Sequence, residues 1–168
     1  MVQVIPPSTL GRTAYERVMG HAPHVLGPWT QLEQVFASQT LLPADLLEQV
    51  RRVLAQGHGC AYCQAKGGAV DPLFAANALV AEDRRATLVL ELARQFAQDH
   101  RRIEPALLSQ LREHDCSAAE LVELIACMSF MWAGGMFGRV LGIQPPGELS
   151  ALACALPAEA AAGSRAGL

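Results

Sequence analysis

Apolar residues recur along this chain at spacings of three and four, the period of an α-helix with one buried face. The clearest case is "PADLLEQVRRVLAQG". Leu46, Leu47, Val50, Val53 and Leu54 make one apolar face there, and Glu48, Arg51, Arg52 and Gln56 fall on the other side. Pro43 suits the first helical turn and Gly57 suits the end. Upstream, "STLGRTAYERVMG" predicts a helix starting at Ser8 or Thr9. "PHVLGPWTQLEQVFAS" places Leu32, Val35 and Phe36 at helical spacing, with Gly27 and Pro28 expected to interrupt or delay it. Downstream, "AEDRRATLVLELARQFAQDHRRI" predicts a helix over roughly Ala81 to Ile103, with a buried stripe of Leu88, Val89, Leu92, Ala93 and Phe96. "EPALLSQLREHD" reads as a short helix with Pro105 near its start. "SAAELVELIACMSFMWAGGMFGRVLG" reads as the longest, opened by a capping box of Ser117 and Glu120. No run alternates apolar and polar positions, so no strand is expected. The pattern predicts an all-α single-domain bundle over residues 1–146 and a loose Pro-, Gly- and Ala-rich tail over 147–168.

Composition narrows the class. Of 168 residues, 51% are hydrophobic and 17% charged, which is the balance of a globular chain with a core. A net charge of −3 offers nucleic acid no electrostatic support. The basic residues are nearly all arginine. The doublets Arg51–Arg52, Arg84–Arg85 and Arg101–Arg102 read as solvated helix faces. The N-terminus "MVQVIPPSTLGR" shows no charged start followed by an apolar run, so no signal peptide is expected. The most apolar window, Leu124 to Gly138, is shorter than the ~20 residues a bilayer requires and reads as a core helix. The expectation is a cytoplasmic protein with no membrane or nucleic-acid partner, its five cysteines reduced.

Chemistry enters at "QGHGCAYCQAKGG". Cys60 and Cys63 stand three apart behind Gly57 and Gly59. On a helix such positions share a face, with Cβ atoms about 5–6 Å apart. A small adjustment brings them within disulfide geometry. Cys60 is expected in the first turn of a new helix, where unpaired N–H groups favour a thiolate, and Lys66 adds a positive charge nearby. Half of a zinc site and a pair of small packed residues are the alternative readings. Cys116, Cys127 and Cys154 do not pair by spacing, and the five histidines are dispersed. Glu48 precedes Cys60 by twelve residues. In one continuous helix that is ~18 Å, so Glu48 reaches the thiols only if the chain folds back at "GHG".

The phrase "LLEQVRRVLAQGHGCAYCQAKG" resembles the AhpD-like alkylhydroperoxidase branch of the carboxymuconolactone decarboxylase family. That family has a glutamate twelve residues before a C-x-x-C and commonly a histidine four residues after its second cysteine. "HAPHVLGPW", "AEDRRATLVLELARQFAQD" and "LREHDCSAAELVELIACMSFMWAGGMFGRVLGI" resemble the family's opening, central and closing helices, so the resemblance spans about residues 15 to 143. It implies an all-α fold, assembly as a homo-oligomer (trimer or hexamer), and antioxidant peroxidase or disulfide-reductase activity. By that resemblance Cys63 attacks a peroxide, Cys60 resolves the sulfenic acid to a disulfide, an unidentified thiol donor reduces the pair, and Glu48 holds the proton-relay position. The expected partners are a peroxide or disulfide substrate, that reductant and further copies of the chain, with no cofactor and no metal.

One departure bears on activity. Gly67 stands where the family commonly has its histidine. His58 is the nearest histidine and either substitutes for it or caps a helix end. Lys66 can lower a thiol pKa by its charge but shuttles protons poorly near neutrality. Loss of one acid–base partner costs ~10²–10⁴-fold, so the expectation is weak peroxidase activity or thiol–disulfide exchange with another acceptor. A carboxymuconolactone decarboxylase-like lyase and a non-catalytic oligomeric protein are the competing readings.

Overall fold

A computed structural model describes residues 3–67 and 83–145. The expected tail, Cys154 and the segment joining the cysteine pair to the central helix lie outside the described residues. Seven α-helices and no strand are present among the described residues. They are α1 (Ala14–Met19), α2 (Pro23–Ser38), α3 (Ala44–His58), α4 (Ala61–Gly67), α5 (Arg84–Asp99), α6 (Pro105–Glu113) and α7 (Ala118–Val140), with a 3-10 turn at His100–Arg102 after α5.

The core lies between α3, α5 and α7. Leu47, Val50, Val53 and Leu54 of α3 meet Leu88, Val89, Leu92, Ala93 and Phe96 of α5, and Leu124, Cys127 and Met128 of α7. Leu107 and Leu111 of α6 seal one side. The stripes expected on α3 and α5 are therefore the buried ones, with Leu46 at the margin. Each fully buried leucine contributes about 1.5–3 kcal/mol over an exposed one. The capping box on α7 forms as expected: Ser117 Oγ accepts from Glu120 N, and Glu120 accepts from Ser117 N at 2.8 Å.

Four expectations are corrected. The first helix starts at Ala14, because Thr13 and Glu16 build a capping box there. Helix α2 runs unbroken through Pro28. Pro28 lies inside the helix, past its first turn, and Thr30 Oγ1 bonds the carbonyls of Leu26 and Gly27 beside it. Gly57 does not end α3. It lets α5 approach closely, since a Cβ there would stand 2.5 Å from Ala97 Cβ. The stop is Gly59, in the left-handed region at φ 65°. Finally, the apolar window belongs to a helix of 23 residues, long and apolar enough by length and composition to cross a membrane. Here it packs against α3 and α4, with Gly135 and Gly138 buried in the contact.

Candidate active site

The left-handed turn at Gly59 folds α4 back along α3. Gln64 Nε2 donates to the Ala55 carbonyl at 3.3 Å, and Arg51 Nη1 donates to the Cys63 carbonyl at 2.9 Å. These bonds hold the cysteine pair against the helix that carries Glu48.

Cys60 occupies the cap position of α4 rather than its first turn: its carbonyl receives Gln64 N, and its sulfur receives Cys63 N at 3.4 Å. The Cys63 thiol donates to the Cys60 sulfur, Sγ–Sγ 2.9 Å, and both cysteines are free thiols. Closing that contact to the ~2.05 Å of a disulfide needs only a small side-chain movement. The two sulfurs differ in access. Cys60 is 1% exposed, whereas Cys63 is half-buried and lines a cavity.

Their electrostatics differ as well. The Cys63 thiol hydrogen bond lowers the Cys60 pKa against the raising effect of burial, and the Cys63 and Tyr62 amides add to it, giving about 7. Cys63 is pushed up by the same hydrogen bond, by burial and by the Cys60 charge, which the charges of Arg51 and Lys66 only partly offset. The pair thus loses its first proton near neutrality, and the hydrogen bond favours that charge on Cys60 over Cys63.

His58 is 3% exposed and stands at the turn between α3 and α4. Its Nδ1 accepts from the Cys60 amide at 3.3 Å, and its ring is one wall of the cavity that Cys63 also lines. Trp132 stacks edge-on at 5.5 Å, and the His58 carbonyl accepts from Arg139 Nη1 at 3.1 Å. Burial, then the charges of Arg139 and Arg51, lower its pKa to about 4, so the ring is neutral at pH 7. With Nδ1 accepting, the proton resides on Nε2. The ring fits because residue 135 is glycine: a Cβ there would stand 2.0 Å from Nε2. Gly138 leaves room for the Cys60 sulfur, 2.8 Å from where its Cβ would be.

Glu48 is half-buried and bound to arginines rather than to the thiols. Arg51 Nε and Nη2 meet its two oxygens at 2.8 and 2.9 Å, and Arg52 Nε adds a third bond at 3.0 Å. Burial raises the Glu48 pKa, but these bonds and charges outweigh it and hold the carboxylate ionised. Its link to the pair therefore runs through Arg51, which touches both Glu48 and the Cys63 backbone. The reading of Arg51 as a solvated residue is corrected, since its side chain is only 16% exposed. Lys66 stands at the cavity rim, paired with Glu33 of α2 at 3.3 Å, and its charge lowers Cys63. Gly67 ends α4.

The cavity, about 130 Å³, is built largely from residues that the sequence did not single out. Tyr15, Trp29, Tyr62, Phe130 and Met131 form its apolar walls. The Tyr15 hydroxyl donates to the Gly134 carbonyl at 3.1 Å, and burial, then the charges of Cys63 and Cys60, raise its pKa. A second cleft of about 290 Å³ lies on the Glu48 side, and Arg51 and Lys66 are part of the wall between the two. Among the described residues no three His, Cys, Asp or Glu side chains converge to hold a metal ion.

No protein-family model matches this chain, and no curated protein is similar to it in sequence. Solved structures share its fold. An uncharacterized peroxidase-related protein from Silicibacter sp. TM1040 superposes with a TM-score of 0.67 at 16% identity, over 80% of this chain and 77% of that one. An alkylhydroperoxidase AhpD core protein from Ralstonia eutropha JMP134, also described as peroxidase-related, gives 0.67 at 19% identity, over 82% and 79%. A cysteine-to-alanine variant of the debrominase Bmp8, in complex with 2,3,4-tribromopyrrole, gives 0.71 at 12% identity, over 86% and 82%. The all-α AhpD-like fold is thus established for this chain. It is a fold that carries proteins described by more than one activity, so the reaction has to be argued from the site.

Proposed function

We propose that this chain is a thiol-dependent oxidoreductase, a peroxidase or disulfide reductase, whose Cys60–Cys63 pair cycles between dithiol and disulfide. The observation that carries the reading is the 2.9 Å contact between a buried sulfur and one that lines a cavity. Access makes Cys63 the attacking atom. The resting pair is a Cys60 thiolate bonded to a Cys63 thiol, so transfer of the shared proton across that contact arms Cys63 and leaves a Cys60 thiol. The Cys63 thiolate attacks the terminal oxygen of a hydroperoxide and the O–O bond breaks. The departing alkoxide takes the Cys60 proton and leaves as an alcohol, and Cys63 becomes a sulfenic acid. The Cys60 thiolate then attacks the Cys63 sulfur. The S–S bond forms, and hydroxide leaves to be protonated by solvent. An external dithiol restores the pair by exchange.

In this scheme Cys60 supplies the proton that the missing histidine at position 67 would otherwise relay. His58 stays neutral and orients Cys60 through its amide. Glu48 acts on the pair through Arg51, and Lys66 through its charge. Turnover with peroxide is expected to be weak for want of a dedicated acid–base side chain. Assembly with further copies fits α2, which buries no residue and leaves Leu32 and Val35 exposed. The test is peroxide consumption by the reduced protein with and without a dithiol donor, beside Cys60→Ser and Cys63→Ser. Each variant is expected to abolish donor-dependent turnover, and unchanged turnover in both rules the reading out.

A further inference from the structure

We propose that the cavity beside Cys63 is a binding seat for one neutral aromatic ring, so that the substrates of this site are compact aryl compounds. This rests on the reading of Cys63 as the attacking thiol for its catalytic consequence, but the binding itself does not.

Three observations carry it. The first is size. The cavity measures about 130 Å³, and an apolar cavity on the order of 150 Å³ takes up one benzene ring. A longer chain or a peptide could seat only one such segment there. The second is lining. Trp29 and Phe130 lie 4.6 Å apart between centroids, and Tyr15 bridges Trp29 and Tyr62 at 6.4 and 5.8 Å. These rings come from α1, α2, α4 and α7, and they offer faces and edges to a further ring in offset or T-shaped contact. The third is charge. Every charged side chain on the wall is committed: Glu33 to Lys66, Arg51 to Glu48, and Glu16 to the Arg12 and Thr13 amides. A carboxylate ligand would have to draw Lys66 from Glu33 or Arg51 from Glu48, whereas a neutral ring displaces water from apolar walls without breaking either pair. Cys63 lines the same cavity, so a ring seated there lies beside the attacking thiol.

Gly134 supplies the decisive variant. It lines the cavity, and a Cβ there would sit 3.4 Å from Trp29 Cζ2 and the Tyr15 hydroxyl, in ordinary contact. Gly134→Ala therefore folds, and a larger side chain at this place occupies the space a ligand ring would use. Calorimetric titration of the reduced protein with benzyl alcohol is expected to show one site per chain. Benzoate and hexanol are each expected to bind at least ~10-fold more weakly, the first for the ion pair it has to break and the second for its lack of ring contacts. Gly134→Leu and Trp29→Leu are expected to weaken benzyl alcohol ~10-fold, and Gly134→Ala less, with circular dichroism confirming that each is folded. Absence of benzyl alcohol binding, or equal binding by benzoate, or binding untouched by Gly134→Leu in a folded protein, overturns the proposal. Turnover is scored separately with benzyl hydroperoxide and a long-chain lipid hydroperoxide. Ring binding without turnover of either peroxide leaves the seat standing and removes the peroxidase reading. Peroxide turnover without ring binding does the reverse.

Discussion

Replacing Cys63 with alanine should raise the pKa of Cys60, and the size of the change follows from the site. The Cys60 thiol is lowered from 9.0 to about 7, with the Cys63 hydrogen bond as the largest cause, burial opposing it and two backbone amides assisting. Two pKa units are about 2.7 kcal/mol of preference for the thiolate. Removing the donor leaves burial set against the two amides, so the thiol returns towards or above its ordinary range. At pH 7 the ionised fraction would fall from about half to about 1% if the full shift were lost. The lost ionisation is partly offset in reactivity, because a more basic thiolate is a better nucleophile; the net fall in reaction rate at neutral pH is then about 5–10-fold. The assay is thiolate ultraviolet absorbance against pH in a Cys154→Ser background. Cys127 is raised by burial to about 12 and Cys116 is raised as well, so neither contributes near neutrality. A Cys60 that still titrates near 7 without Cys63 refutes the claim that one thiol activates the other.

Other consequences are as definite. His58 is held neutral, with a folded pKa of about 4 against an ordinary 6.5, so the unfolded chain binds the extra proton first. Stability is full above about pH 6.5 and is lost as pH falls towards 4, by about 3 kcal/mol; urea midpoints across that range check it, and His58→Gln should flatten the slope. Gly135→Ala puts a methyl group 2.0 Å from the His58 ring and is expected to destabilise by about 1–3 kcal/mol, whereas Gly27→Ala meets nothing within 4 Å and should be neutral or gain up to ~1 kcal/mol in chemical denaturation. Arg51→Met removes the bonds to Glu48 and to the Cys63 carbonyl; it should cost about 1–3 kcal/mol and shift the disulfide reduction potential, with Arg51→Lys restoring part of both.

The parts of the fold that were legible in the sequence are those governed by local periodicity. The stripes of α3 and α5 and the capping box of α7 need no knowledge of distant residues. Helix ends were harder, because glycine acts in two ways. Gly57 admits a neighbouring helix and Gly59 turns the chain, and one sequence cannot say which glycine does which. Pro28 misled for a different reason: it stands inside α2, where a proline costs a backbone hydrogen bond, yet the helix runs on past it.

At the site, the spacing of Glu48, Cys60 and Cys63 carried the candidate thiols and the need for a reversal between them. It could not carry Arg51, whose two partners are three and twelve residues away and whose position on a polar helix face looks like that of any solvated arginine. The Glu48–Arg51 spacing of one helical turn was the available signal. The cavity was invisible for a stronger reason. Tyr15 meets Gly134 across 119 positions, and Trp29 and Phe130 come from helices that the local pattern does not bring together. Likewise Gly135 and Gly138, within an apolar run, reveal nothing of the imidazole and thiol they accommodate.

The most direct measurement of the central claim is chemical trapping of the oxidised sulfur. Cys60→Ser protein, treated with a single equivalent of hydroperoxide in the presence of dimedone and then mapped by mass spectrometry, should carry the adduct on Cys63, while the native protein loses two hydrogens and forms the Cys60–Cys63 disulfide. An unmodified Cys63 in that variant, or an adduct found instead on Cys60 of Cys63→Ser, would contradict the account.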